Sequence, residues 1–131
     1  MTGPGSGNLV LIVEDNDKNT KLMRDILQFH GLRTVEATTA EEGIATAVRD
    51  RPDLVLMDVR LPGMNGLAAL RLLRADPRTA GIPVVAVTAS VMPDERDRFG
   101  EAGFDGFIAK PIDIRAFPAQ VRSYLAVRPK P

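Results

Sequence analysis

Five short apolar segments alternate along the chain with segments whose apolar residues recur at helical spacing, and this alternation limits the possible folds. The predicted strands are 9–13, 33–37, 54–58, 84–87 and 104–109. The predicted helices are 17–30, 39–51, 66–76 and 93–102, with a fifth after Asp113. A strand that is followed each time by a helix predicts a parallel sheet with helices on both faces. We therefore predict an α/β fold, a flavodoxin-like doubly wound five-stranded sheet of order 2-1-3-4-5 with five helices.

Composition narrows the functions that such a domain can have. The 17 basic residues balance the 17 acidic ones, so no net field points to nucleic acid or a membrane surface. The chain has no cysteine, which excludes disulfides and thiolate chemistry, and it has no run of about 18 apolar residues. We expect one domain over 9–126, with a flexible leader at 1–8 and a flexible tail at 127–131. We also expect a cytoplasmic monomer.

Acidic residues follow two strands that the predicted order makes neighbours. Glu14 and Asp15 come directly after strand one, and Asp58 is the last residue of strand three. These carboxylates would repel one another unless a cation lies between them. Oxygen ligands in a chain without cysteine favour a hard divalent ion such as Mg²⁺. An acidic loop held apart by water is the alternative.

Two further polar side chains lie at strand ends on the same edge. Thr88 ends strand four and Lys110 ends strand five. A carboxylate nucleophile, a metal, a fixed cation and a hydroxyl donor are the parts needed to transfer a phosphoryl group onto an aspartate. Each residue alone is weak evidence, and the prediction depends on their joint placement with Asp15 and Asp58.

The motifs at these strand ends resemble those of the receiver domain of two-component response regulators. The segments that carry the resemblance are Val13-Glu14-Asp15-Asn16, Leu56-Met57-Asp58, Leu61-Pro62-Gly63-Met64-Asn65-Gly66, Val87-Thr88-Ala89 and Lys110-Pro111. The likeness covers about residues 9–125. The first of these motifs and the fourth predicted strand also resemble those of DivK-like single-domain regulators, and those of receivers attached to hybrid histidine kinases.

The resemblance implies roles for the acidic residues. Asp58 would accept a phosphoryl group from a phosphohistidine on a histidine kinase or phosphotransfer protein. Asp15, Asp58 and the main-chain carbonyl of Arg60 would ligate Mg²⁺, and Glu14 would act through water. Arg60 lies where the family tunes phosphoryl lifetime, and we hypothesise that its guanidinium pairs with the phosphoryl group or with nearby acids.

It also implies roles for the remaining motifs. Thr88 and Lys110 would bind phosphoryl oxygens, with Ala89 among the phosphoryl-binding residues, and the Lys110-Pro111 bond would be cis. Phe107 occupies the family's aromatic switch position, where the ring turns inward as the threonine hydroxyl moves toward the phosphoryl group. Because Phe107 lacks a hydroxyl, any signal through it must be steric.

One residue departs from regular helix chemistry. Pro118 follows the predicted cap Asp113 by five residues, and it lacks the N–H that would bond to Ile114. We therefore predict that the fifth helix starts late or kinks.

A receiver that fills the chain would act by binding a downstream protein target, and it would not be an enzyme. We favour a stand-alone regulator, with a receiver excised from a hybrid histidine kinase as the alternative. An aspartyl-phosphate phosphohydrolase is a rival from another class, but it would need a second aspartate at the position of Arg60. A flavodoxin would need a phosphate-binding loop where Glu14 and Asp15 stand. A receiver that serves only as a scaffold is the remaining alternative.

Overall fold

The computed structural model describes residues 8–61, 63–89 and 92–126, leaving aside the side chains of residues 96 and 126. Strands and helices alternate along the whole described chain. In chain order they are β1 Leu9–Val13, α1 Asp17–Phe29, β2 Arg33–Ala37, α2 Ala40–Asp50, β3 Leu54–Asp58, α3 Gly66–Ala75, β4 Val84–Thr88, α4 Pro93–Ala102, β5 Gly106–Ala109 and α5 Phe117–Ala126.

The five strands form one parallel sheet of order β2-β1-β3-β4-β5, which confirms the predicted fold. Alternate side chains of each strand enter two separate cores. Leu11 and Val13 pack with residues of α2, α3 and α4, whereas Val10 and Ile12 pack with residues of α1 and α5. The near-continuous apolar character of β1, β3 and β4 follows from this burial on both faces.

Polar side chains define where several helices begin. Asn16 accepts hydrogen bonds from two amides of α1, Thr39 accepts one from α2, and Asn65 accepts one from the amide of Ala68. Each cap replaces a hydrogen bond that the first helical turn cannot make internally. Asn65 also ends the loop that follows Asp58, so it sets the path of the chain beside that carboxylate.

The fifth helix starts late, as Pro118 predicted. Residues 114–116 form a turn, in which the side chain of Asp113 accepts hydrogen bonds from the amides of Arg115 and Ala116. α5 begins at Phe117, so Pro118 falls in the first helical turn, where a missing N–H costs nothing.

The fifth strand is shorter than predicted. It begins at Gly106, whereas we expected it from residue 104. Phe104 is buried, but it packs edge-on against Phe99 of α4 with ring centroids 5.9 Å apart and lies in the turn before the strand. An apolar residue is buried there without strand pairing, which is why the sequence pattern misled.

The described helices include none long and apolar enough to cross a bilayer. The predicted leader and tail, apart from Asn8, lie outside the described residues.

Candidate functional site

The three predicted acidic residues converge at the carboxyl edge of the sheet. β1 and β3 are adjacent, and Val13 pairs with Met57, so the residues that follow the two strands meet. One carboxylate oxygen from each of Glu14, Asp15 and Asp58 lies within 4.8 Å of the others. Glu14 and Asp58 are buried and Asp15 is exposed. The cluster is therefore open to solvent on one side only.

Lys110 reaches this cluster from β5, across the end of β4. Its Nζ lies 2.9 Å from Glu14 Oε1 and 3.1 Å from Asp58 Oδ2. The amide of Lys110 donates to the carbonyl of Thr88, and the bond to Pro111 is cis, as the resemblance implied. One ammonium thus faces two buried carboxylates, so the site carries an excess of negative charge.

Burial shapes the acid–base properties of this cluster. Burial raises the pKa of Glu14 above 4.5, with the charge of Asp58 adding to the effect and Lys110 opposing it. Burial works against the charged form of Lys110, but the carboxylates of Glu14 and Asp58 outweigh it and raise the pKa of the ammonium. Lys110 is therefore a permanent cation at neutral pH.

Glu14 depends on a cation that it shares. Its Oε2 accepts from the amide of Asn16 at 3.2 Å. Its Oε1 lies 2.9 Å from the ammonium of Lys110, which also pairs with Asp58, and no other described group donates to it. A buried carboxylate that shares its one cation with a second carboxylate is costly to maintain.

The loop after β3 positions Asp58 tightly. Asp58 Oδ1 accepts from the amide of Arg60 at 2.9 Å, and the amide of Gly66 donates to the carbonyl of Val59 at 3.0 Å. A Cβ on Gly66 would lie 2.9 Å from both the Asp58 carbonyl oxygen and Val59 Cα. Only glycine lets α3 start this close to the acidic residue. The sequence motif that contains Gly66 did not by itself indicate this role.

The other predicted residues lie around the same edge. Thr88 is the buried last residue of β4, one position beyond the residue that pairs with Asp58, and Ala89 is exposed next to it. The side chain of Arg60 is exposed, and no ion pair joins it to an acid in the part of the chain described. A cavity of about 140 Å³ lies between the loop after β3 and α4, lined by Arg60, Thr88 and Phe99 among others.

Phe107 lies on the same side of the sheet as that cavity. Its half-buried ring packs against the core formed with α2, α3 and α4. Its carbonyl oxygen lies 3.4 Å from the Tyr124 hydroxyl of α5, whose ring occupies the space beside Gly106. The contact with Tyr124 was not visible in the sequence, because nothing in the spacing of β5 and α5 indicates it.

A buried carboxylate beside a fixed ammonium, a hydroxyl and an acidic cluster suits transfer of a phosphoryl group to the carboxylate. Comparisons with known proteins identify the family of the chain. A sequence model of the response regulator receiver domain matches residues 10–122. The polar-differentiation response regulator DivK of Brucella anthropi is 40% identical over 116 residues, which span 88% of this chain and 94% of that protein.

Two solved structures share the architecture. A putative response regulator from Chloroflexus aurantiacus superposes with a TM-score of 0.87 at 27% identity, over 92% of this chain and 99% of that one. The receiver domain of the sensor histidine kinase PA1611 from Pseudomonas aeruginosa superposes at 0.84 and 29% identity, also over 92% and 99%; it holds a magnesium ion coordinated in its active site cleft. These matches confirm the DivK-like resemblance and point to a signalling switch rather than a dedicated enzyme. The chain belongs to the response regulator receiver domain family.

Proposed function

We propose that this protein is a single-domain response regulator whose Asp58 accepts a phosphoryl group from a histidine kinase or histidine phosphotransfer protein. The observation that carries the proposal is the buried Asp58 carboxylate, held by the Arg60 amide and by Lys110 within the acidic cluster. A carboxylate oxygen of Asp58 would attack phosphorus, and the phosphorus–nitrogen bond of the phosphohistidine would break. The electron pair of that bond passes to the imidazole nitrogen. A carboxylate attacks without losing a proton, so it needs no general base.

The donor set fits Mg²⁺. Three carboxylates converge, all offered ligands are oxygens, and Lys110 is a single cation shared between Glu14 and Asp58, so the cluster keeps an excess of negative charge. Asp15, Asp58 and the main-chain carbonyl of Arg60 would hold the ion, with Glu14 acting through water. When bound, the ion would supply positive charge that offsets the charge on the phosphoryl oxygens.

Lys110 and Thr88 would bind phosphoryl oxygens, with Ala89 beside them. Lys110 already lies 3.1 Å from Asp58 Oδ2, and its raised pKa keeps it charged. Its carboxylate partner would exchange for a phosphoryl oxygen of greater charge, so the ammonium gains stabilisation as the group arrives.

Thr88 and Phe107 would form the switch. Thr88 lines the 140 Å³ cavity next to α4, and the Phe107 ring lies half-buried on the same side of the sheet. A small movement of Thr88 toward the phosphoryl group would change the space available to the ring. Phe107 labelled with fluorine should shift its ¹⁹F signal on phosphorylation in the native protein. Thr88→Ala should remain phosphorylated while that shift is lost.

Arg60 would tune the lifetime of the phosphorylated form. Its exposed guanidinium has no ion-pair partner in the described chain and stands two residues after Asp58. Arg60→Ala should change the rate of phosphoryl loss, whereas Arg71→Ala on the exposed side of α3 should not. Equal lifetimes of the native and Arg60→Ala proteins would dispose of this role.

Acetyl phosphate with Mg²⁺ tests the central assignment. We expect mass spectrometry to locate an acyl phosphate on Asp58, and we expect no adduct in Asp58→Asn or after chelation of the metal. Asp94→Asn, which removes an exposed acid of α4, should be phosphorylated like the native protein. An adduct on another acid, or full labelling of Asp58→Asn, would refute the proposal.

The partners follow from the same chemistry. We propose a cytoplasmic monomer that receives its phosphoryl group from a kinase or phosphotransfer protein and signals to a downstream protein, with no nucleic acid or membrane partner. A receiver domain of a larger histidine kinase is the second candidate, since PA1611 provides a similar domain in that setting. Family membership points away from a phosphohydrolase.

A further inference from the structure

A groove separate from the phosphoryl site runs along the exposed side of α5. It is lined by two pairs of α5 residues spaced by four, 118 with 122 and 119 with 123, together with Ile114 and Arg115 of the turn before the helix and His30 at the end of α1. Residues with this spacing form the ridges against which a second helix packs. We call this surface the α5 groove. It contains none of the residues assigned to phosphoryl chemistry.

Apolar side chains are unusually exposed here. Ile114 is 61% exposed at one end of the groove. Phe29 does not line the groove, but it precedes His30, which does; it is 86% exposed, and its ring stacks edge-on against His30 with centroids 5.3 Å apart. Pro118 is buried and also lines the groove. Large apolar groups left in water in and beside a groove are typical of a binding surface.

The charged side chains that line the α5 groove are positive. Arg115 and Arg122 line it, no acid among the described residues does, and the sequence has no aspartate or glutamate from residue 114 to 131. The whole protein, by contrast, has balanced charges. Asp113, the nearest acid in sequence, has its Oδ1 engaged by the amides that start the turn.

The guanidinium of Arg122 is also held in place. It donates to the carbonyl of His30 at 3.0 Å, which fixes the side chain across the groove without neutralising it. A cation ordered in advance loses less conformational entropy when an anionic partner binds. Two guanidiniums with aliphatic neighbours are too few for nucleic acid or an anionic membrane, which need denser positive charge.

We infer that the α5 groove binds an amphipathic helix of a partner protein, with an apolar stripe toward Ile114 and Phe29 and acidic residues toward Arg115 and Arg122. The helical form follows from the four-residue spacing of the α5 residues that line the groove, and the acidic flank follows from charge complementarity. The inference concerns a second surface and does not depend on phosphorylation of Asp58.

Two designed helical peptides test the inference on the full chain. Both carry leucine at i, i+4 and i+7 positions; one has glutamate on the flanks and the other lysine at the same positions. In titrations followed by amide NMR, we expect the glutamate peptide to shift signals of α5 and of the end of α1. It should bind about tenfold more tightly than the lysine peptide, the scale of two exposed ion pairs.

The double variant Arg115→Glu with Arg122→Glu should invert the order of the two peptides. Arg71→Glu reverses an exposed charge on α3 and should leave the order as in the native protein. Circular dichroism checks that each variant folds. Equal affinities for the two peptides, shifts confined to other surfaces, or an unchanged order in the double variant would overturn the inference.

Sedimentation and phosphorylation separate the remaining explanations. A concentration-dependent dimer that the double variant loses would assign the groove to a second copy of the chain and overturn the inference. Labelling of Asp58 by acetyl phosphate should be unchanged in the double variant. Failure of peptide binding with normal labelling would therefore count against the groove alone, and failure of labelling in the native protein would count against the proposed function alone.

Discussion

Carboxylates occupy both edges of the sheet, but the hydrogen-bond and ion-pair partners of these carboxylates differ between the two edges. At the amino edge, Asp53 and Asp105 each accept the first amide of a neighbouring strand at 2.8 Å, and Asp105 also pairs with Arg74 at 2.8 Å. At the carboxyl edge, the buried carboxylates of Glu14 and Asp58 share one lysine. The chain itself supplies a full set of partners at the amino edge, whereas at the carboxyl edge two buried negative charges face a single cation, at a cost in stability.

Removing Arg74 from the amino edge is the strongest test of this difference between the two edges. Its guanidinium donates to three main-chain carbonyls in the loops before β4 and β5, at 2.6 to 3.2 Å, and to Asp105. Arg74→Met should lower the free energy of unfolding by about 3 kcal/mol, the scale of charged hydrogen bonds. Urea unfolding measures this loss. Arg71→Met on the same helix should change the free energy of unfolding by less than about 0.5 kcal/mol. A loss below about 1 kcal/mol would contradict the assigned role.

The loop at the carboxyl edge should depend on close packing rather than on charge. Gly66→Ala would place a methyl group against the backbone of Asp58 and Val59, and we expect a loss of about 2 kcal/mol from overpacking. Gly100 lies in α4 with no atom within 4 Å of its would-be Cβ. Gly100→Ala should therefore gain about 0.5 kcal/mol from helix propensity. Equal effects of the two variants in thermal unfolding would refute the close approach.

Magnesium should stabilise only through the carboxyl edge. At a free concentration ten times its Kd, a ligand that binds the folded state alone adds about 1.4 kcal/mol to the free energy of unfolding. Asp15→Asn should remove this increment, and it should raise the stability of the metal-free protein slightly by relieving repulsion. Asp105→Asn should keep the magnesium increment. Calorimetry with and without a chelator measures the magnesium increment in the native protein and in both variants. An increment that persists in Asp15→Asn would overturn the assignment of Asp15 as a ligand.

The smallest expected effect is that the contributions of Glu14 and Asp76 to stability change with pH in opposite directions. Burial raises the pKa of Glu14, so in metal-free buffer its contribution to stability is greatest below pH 4.5 and declines as pH rises through the raised value. Asp76, at the end of α3, has its pKa lowered from 3.8 to about 2 by hydrogen bonds from Arg78. Its contribution is present above pH 3.8 and is lost as pH falls through about 2. In plots of the free energy of unfolding against pH, Glu14→Gln should flatten the decline that begins above pH 4.5, and Arg78→Ala should flatten the loss at low pH. Unchanged plots would contradict burial of Glu14 and the hydrogen bonds from Arg78 as the causes of the two pKa shifts.

Much of the site could be predicted because parallel strands share their direction. Glu14, Asp58, Thr88 and Lys110 each follow or end an apolar run, and strand order alone brings such ends to one edge. The late start of α5 was equally predictable, because Pro118 acts on backbone groups only a few residues away.

Other features depend on neighbours that are distant in the chain. Phe104 is buried without belonging to β5, since packing against α4 removes it from water as well as a strand would. The constraint on Gly66 arises from the backbone of Val59, and Tyr124 meets Phe107 only because α5 lies on the sheet.

The sequence by itself determined the order of strands and helices, the family motifs and the edge at which the polar residues gather, because these follow from periodicity and chain direction. The tertiary structure decided which acids are buried, which hydrogen bonds the chain completes and that Glu14 and Asp58 share one lysine. The physical reason is that burial and hydrogen-bond geometry depend on atoms from several elements at once. Those atoms acquire positions only when the elements pack together.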